Sequence, residues 1–161
     1  MKNESFEKFV EDLITKEQLL SLSDEIEIAL SFIYKGTLSE PLSAKLSSDV
    51  SESFRKKLIL AEEKGLFSKD PEAQKEFFRE LKKYSQSIPV CKITLAFVPR
   101  QSFLSNLEDW FIKQVGRKVF LDIYANSKIL GGAVIEFEGN YRDYSFSSEL
   151  EQLLDRRNLI N

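Results

Sequence analysis

Ile88-Pro89-Val90-Cys91-Lys92-Ile93-Thr94-Leu95-Ala96-Phe97 is the stretch at which the hydrophobic rhythm of the chain changes. From Cys91 to Phe97 the apolar Cys91, Ile93, Leu95 and Phe97 alternate with Lys92, Thr94 and Ala96, the two-residue repeat of a half-buried strand. Everything before Ser87 repeats instead at helical spacing. A domain boundary is therefore expected here, with a small helical bundle over residues 1–87 and an α+β domain over 88–161.

Downstream of the boundary, Phe103, Leu107, Trp110, Phe111 and Val115 predict the inward face of a helix from about Ser102 to Val115, stopped at Gly116. Val119, Leu121, Ile123 and Ala125 alternate again, giving a second strand. Ala133 to Phe137 reads as a third, Glu138-Gly139-Asn140 as a tight hairpin turn, and Tyr141 to Tyr144 as a short fourth. A closing helix is expected from about Ser147, with Leu150, Leu153 and Leu154 inward and Asp155-Arg156-Arg157 near its end. The order β-α-β-β-β-α lays a helix pair on one face of a small sheet. The fold class is α+β, mostly helical.

Upstream, Phe6, Phe9, Val10, Leu13 and Ile14, then Leu19 and Leu20, predict one amphipathic stripe. Asp24 with Glu27 matches a capping box, so a second helix is expected to start there and run through Ile26, Ala29, Leu30 and Ile33 to Gly36. Leu38-Ser39-Glu40-Pro41 reads as a turn into a weak helix. Val50, Phe54, Leu58 and Ala61 make the next stripe, and Asp70-Pro71 opens the last helix with Ala73, Phe77, Leu81 and Tyr84. Short amphipathic helices are unstable alone and must pack together as a bundle.

The bulk numbers exclude several functions. At 161 residues and 42% hydrophobic, the chain can fill a core. A formal charge of -3 offers no basic field for nucleic acid. With no histidine and one cysteine, Cys91, the usual zinc ligand sets and the commonest general base are missing. Cys91 sits in an apolar run, where it is expected to be a buried hydrophobe in a reducing compartment. The opening Met1-Lys2-Asn3-Glu4-Ser5 has no apolar signal core and no long uncharged stretch follows, so any membrane role is expected to be indirect.

Four groups of residues carry possible chemistry. Gly131-Gly132 could cradle an anion, but the pair enters a strand and lacks the spaced glycines of a dinucleotide site, which favours a bulge or a sharp bend. Asp143 and Ser145 could pair an acid with a nucleophile, yet no base is near to activate the serine, and capping explains them better. The acidic Glu7, Glu11, Asp12, Glu25 and Glu27 lack calcium-loop spacing and read as solvated faces. Trp110, Phe111, Phe103 and Phe120 could stack bases, although helical spacing makes core the better reading. Phe120 and Tyr124 share the strand face opposite Val119 and Leu121, a second apolar face that a partner could cover. No catalytic, cofactor or metal site is expected.

Ile93-Thr94-Leu95-Ala96, Lys118-Val119-Phe120-Leu121, Ile129-Leu130-Gly131-Gly132-Ala133-Val134-Ile135, Asp143-Tyr144-Ser145 and Leu150 with Leu153 follow in order. Together they resemble the C-terminal domain of the delta, or oligomycin-sensitivity-conferring, subunit family of F-type ATP synthases. Asn126 stands where the family often has aspartate. The N-terminal half shows about five short helices where the family has six, and none of its usual opening pattern.

The resemblance implies a non-catalytic peripheral-stalk subunit that ties the catalytic head to the b-type stalk of a proton- or sodium-driven synthase. It implies a place on the cytoplasmic side of the cell membrane, held only through the complex. Gly131, Gly132, Asp143, Ser145 and Leu150 would then define the fold, and Tyr141, Tyr144 and Phe146 are expected at the stalk contact. Other readings stay open: a V- or A-type ATPase stator, which a long unbroken N-terminal helix would favour, a nucleic-acid module of KH type, which needs a G-x-x-G loop, and a small-molecule regulatory domain or carboxylate-based enzyme.

Overall fold

The computed structural model describes residues 2–37, 40–46, 48–66 and 68–147. The Leu38-Ser39 part of the expected turn, the expected closing helix with Leu150, Leu153 and Leu154, and Asp155-Arg156-Arg157 lie outside the described residues. The chain divides into two compact units, one of Met1–Leu13 and Glu17–Ser87, the other of Ile14–Lys16 and Ile88–Asn161.

The first unit is helical: α1 (Lys2–Val10), α2 (Lys16–Phe32), α3 (Leu42–Lys45), α4 (Glu52–Glu63) and α5 (Pro71–Ser87). The starts of α4 and α5 follow from local chemistry. The Ser51 hydroxyl accepts from the Phe54 amide at 3.2 Å, and the Asp70 carboxylate accepts from the Ala73 amide at 3.0 Å, each satisfying a donor left free in a first helical turn. The core is aromatic. Phe9, Phe54 and Phe78 are buried, with ring centroids 6.0 Å apart for Phe9 and Phe54 and 6.4 Å for Phe54 and Phe78. Leu58, Leu81, Ile26 and Ile33 are buried as well.

One expected helix start is corrected. Asp24 and Glu27 do not open a helix, because α2 runs unbroken through them. Buried Leu19, Leu22, Ile26, Ala29 and Ile33 fall three and four residues apart, in one phase along the whole stretch. Burying each large member of that stripe is worth about 1.5–3 kcal/mol, against about 1 kcal/mol for a cap, so the stripe decides. Leu20 lies off it, 56% exposed. The acidic residues pair instead of capping α2: Glu27 with Lys82, and Glu25 with the Ser51 amide at 2.6 Å. The stripe expected to run from Phe6 through Ile14 also ends early, at Val10, with a turn closed by Leu13 N–H donating to the Val10 carbonyl. Lys57 donates to the Phe9 carbonyl at 3.0 Å and pairs with Asp12, a cation placed at the end of α1 where free carbonyls attract it.

The second unit contains β1 (Val90–Leu95), α6 (Gln101–Val115), β2 (Phe120–Ala125), β3 (Ala133–Phe137) and β4 (Asn140–Asp143). The sheet order is β2-β1-β3-β4. β1 and β2 are parallel, with Cys91 opposite Leu121 and Leu95 opposite Ala125, and such a pair needs a crossover, which α6 supplies. β3 pairs antiparallel with both β1 and β4. Cys91, Ile93, Leu95, Leu121, Ile123, Ala133, Ile135 and Phe137 share one face and pack with Leu104, Leu107, Phe111 and Val115 of α6. Cys91 is fully buried, and burial pushes its thiol up to about 11, which keeps it protonated and unreactive.

The inward face of α6 differs from the one expected. Phe103 and Trp110 are 38% and 49% exposed, while Leu104 and Glu108 point inward. Glu108 is tolerated there because Lys118 donates to it at 2.6 Å, and the same ammonium lies 5.8 Å from the Phe120 ring centre. Phe120 is fully buried, so the opposite sheet face offers Tyr124 and charged residues at its surface instead of an open aromatic pair.

Candidate docking surface

The register brings the ends of all four strands together at one end of the sheet. β1 and β2 finish together at Leu95 and Ala125, β3 begins opposite Leu95 at Ala133, and β4 finishes at Asp143 opposite Val134. Gly131-Gly132 therefore meets Asp143-Tyr144-Ser145. Beyond the strands the ladder continues: Tyr144 N–H donates to the Ala133 carbonyl at 2.8 Å, and Phe146 N–H to the Gly131 carbonyl at 3.0 Å. Leu130 N–H donates to the Ser147 hydroxyl at 3.2 Å.

Gly132 is required by this closeness. Its φ is +80°, and a side-chain carbon placed on it would stand 3.0 Å from the Ser145 Cα and closer still to the Tyr144 carbonyl oxygen. At Gly131 the same carbon would meet the Phe146 ring, 2.6 Å from Cδ2. The doublet thus receives a backbone and an aromatic ring.

Asp143 accepts from the Ser145 amide at 2.8 Å, the turn in which a carboxylate stands in for a backbone acceptor. Ser145 is 3% exposed. Hydrogen bonds from the Ser145 hydroxyl and then its amide hold the Asp143 carboxyl below its ordinary value of 3.8, against a smaller opposing effect of desolvation. A carboxylate with a lowered pKa is a poor base, so the pair shapes a turn and is badly suited to making a nucleophile.

Because the folded pKa is the lower one, Asp143 stabilises the fold above the ordinary carboxylate value, and that contribution disappears as pH falls through the folded value. Asp143→Asn is accordingly expected to destabilise at pH 7 and to flatten the acid limb of the stability curve below about pH 4. Urea melts of both proteins at a series of pH values check this, and curves that stay parallel down to pH 2 would contradict it.

Beside this joint, the sheet face away from α6 forms an open groove of about 410 Å³, lined by Lys92, Thr94, Lys128, Glu136, Tyr141 and Asp143 among others. Lys92 lies 3.7 Å from Glu136 and 5.3 Å from the Tyr124 ring centre. Among the described residues no group of three or more His, Cys, Asp or Glu side chains could hold a metal ion. No described helix is long and apolar enough to cross a membrane.

The chain matches the family model described as ATP synthase delta (OSCP) subunit over residues 2–156. It belongs to that family. A curated relative, the ATP synthase subunit delta of Francisella tularensis subsp. mediasiatica (strain FSC147), is 29% identical over 108 residues. That alignment spans 67% of this chain and 62% of the relative, so this chain matches under two thirds of the relative's length. A chain from the cryo-EM structure of the Toxoplasma gondii mitochondrial ATP synthase hexamer is similar at TM-score 0.37 and 9% identity, covering 97% of this chain and 96% of that one. That likeness is too loose to bear on function.

Of the residues this family resemblance singled out, Gly131, Gly132, Asp143 and Ser145 meet at one joint, while Leu150 lies outside the described residues. Tyr141, Tyr144 and Phe146 are 64%, 59% and 58% exposed. Tyr141 stands opposite Glu136, on the groove side of the sheet. Asn126 closes its own turn by accepting from the Lys128 amide at 3.0 Å. Phe97, Val98, Phe103 and Leu130 are exposed apolar residues on segments at this same sheet end, although the sequence pattern predicts Phe97 and Phe103 to face inward. Phe97 and Phe103 meet edge to face at 5.4 Å. Pro99, which ends the alternation two residues after Phe97, was the available signal that Phe97 is outside the strand.

Proposed function

We propose that this chain is a non-catalytic stator subunit of an F-type ATP synthase, joining the catalytic head to the b-type stalk. The family match over residues 2–156 carries this reading. The joint geometry supports it, because the glycine doublet receives Tyr144, Ser145 and Phe146, and the Asp143–Ser145 pair is spent on a turn. Residues 1–87 face the head and residues 88–161 form the stalk-binding domain. The complex lies at the cytoplasmic side of the cell membrane and uses a proton or sodium gradient, and the subunit reaches the membrane only through its partners. A stator holds the head against the rotor, so its chemistry is slow-releasing protein contact, an amphipathic stalk helix laid against an apolar surface.

Tyr141, Tyr144 and Phe146 are assigned to the stalk contact. Exposed aromatic residues are the usual anchors of such contacts. Tyr141→Ser with Tyr144→Ser is expected to weaken capture of the stalk subunit's C-terminal segment about tenfold or more. Unchanged capture would remove both residues from the contact. Phe146→Ser must be paired with a stability measurement, since the Phe146 ring also lies against Gly131.

A further inference from the structure

We infer that Ile14–Lys16 is a strap belonging to the C-terminal sheet, closing the outer edge of β2 and completing its core. Three independent observations converge on it. Leu121 N–H donates to the Ile14 carbonyl at 2.9 Å, and Thr15 bridges Leu121 in parallel. β2 is the last strand on its side of the order β2-β1-β3-β4, so its outward amides would otherwise face water. Ile14 is 6% exposed and packs in the cluster of Cys91, Phe111, Val119 and Leu121. Lys16 instead meets Asp122 at 2.8 Å, and the Tyr124 hydroxyl donates to the same Asp122 oxygen at 3.2 Å. Ile14 thus joins the core face with Leu121, while Lys16, where α2 begins, reaches Asp122 on the opposite face of β2.

The ion pair is partly open to water, its lysine side chain 43% exposed, and contributes little by itself, so the buried isoleucine and the backbone bond hold the strap. Hydrogen bonding and charge from Asp122 do raise the Lys16 pKa, in keeping with a formed pair. The chain therefore passes between the two units at three places, after Leu13, after Lys16 and after Ser87. A fragment cut at Ile88 would lack part of its own core and expose the β2 edge.

The test is amide hydrogen exchange by NMR on the full chain, which needs no partner and so stands apart from the stator reading. The Leu121 amide is expected to exchange as slowly as that of Ile93 in the central strand β1. Ile14→Ala is expected to speed exchange at Leu121 and its β2 neighbours about tenfold or more, with Ile14→Val near the unaltered rate and Lys16→Met changing it by about threefold at most. A Leu121 amide that exchanges near its intrinsic rate in the unaltered chain while Ile93 stays protected would overturn the strap. So would an Ile14→Ala protein whose β2 exchange is unchanged.

Discussion

Gly132→Ala is expected to destabilise the C-terminal unit by about 3 kcal/mol or more. Two penalties add. The residue must hold φ at +80°, which costs an L-residue roughly 1–2 kcal/mol, and its new methyl group collides with backbone atoms of Tyr144 and Ser145. Backbone held in a hydrogen-bonded ladder cannot swing aside as a flexible side chain can. Relief would require breaking the bond from Tyr144 N–H to the Ala133 carbonyl, which anchors the turn after β4. Gly139→Ala is the matched control. Its φ is +78°, but nothing lies within 4 Å of the added carbon, so only the conformational penalty of roughly 1–2 kcal/mol remains. Trp110, the single tryptophan, lies on α6 and reports this unit by fluorescence in a denaturant melt. Equal midpoints for the two variants would contradict the account of the joint.

Phe78→Ala is expected to cost the helical unit about 3–5 kcal/mol, the range for truncating a buried phenylalanine. Phe78 is fully buried, stacks near Phe54 at 6.4 Å and meets Phe77 edge to face at 5.7 Å, so its loss leaves a cavity and removes ring contacts worth about 0.5–1.5 kcal/mol each. Because the first unit is built from helices alone among its described residues, its melting appears as lost helical circular dichroism. Phe103→Ala is the comparison, since its ring is 38% exposed, and a loss under about 1.5 kcal/mol is expected. The opposite order would restore the face of α6 expected from the sequence.

That contrast shows where the sequence was legible and where it was not. The Asp70-Pro71 start was readable because cap and proline act within one turn, and β1 was readable because its alternation is uninterrupted. The Asp24–Glu27 signal misled because a cap is local, whereas the stripe from Leu19 to Ile33 draws its stabilisation from burial against other helices. On α6, large aromatic residues attracted the reading. The true inward face includes Glu108, which hydrophobic periodicity rejects and which Lys118, beyond the end of the helix, makes tolerable. Ile14 reads with the helical stripe of Phe6 to Leu13 because the three residues Ile14–Lys16 are too few to show a strand period.

At the candidate site, the motif residues could be read in order along the chain, but their meeting could not. Gly132 and Tyr144 are close only because β3 pairs with β4 in the register that sets Val134 opposite Asp143. The exposed set of Phe97, Phe103 and Leu130 needed that register too, since each lies on a different segment. A hydrophobic residue reads as core until the fold shows which ones the core has no room to bury.

Under the stator function proposed above, this chain couples head to stalk. In synthase membranes stripped of the delta subunit, a head that is no longer held is expected to hydrolyse ATP without coupling to the ion gradient. Adding this chain to such membranes, with the head supplied, should restore head binding and gradient-driven ATP synthesis together. A chain that stays in the supernatant, leaving both head binding and synthesis at the depleted level, would contradict the claim.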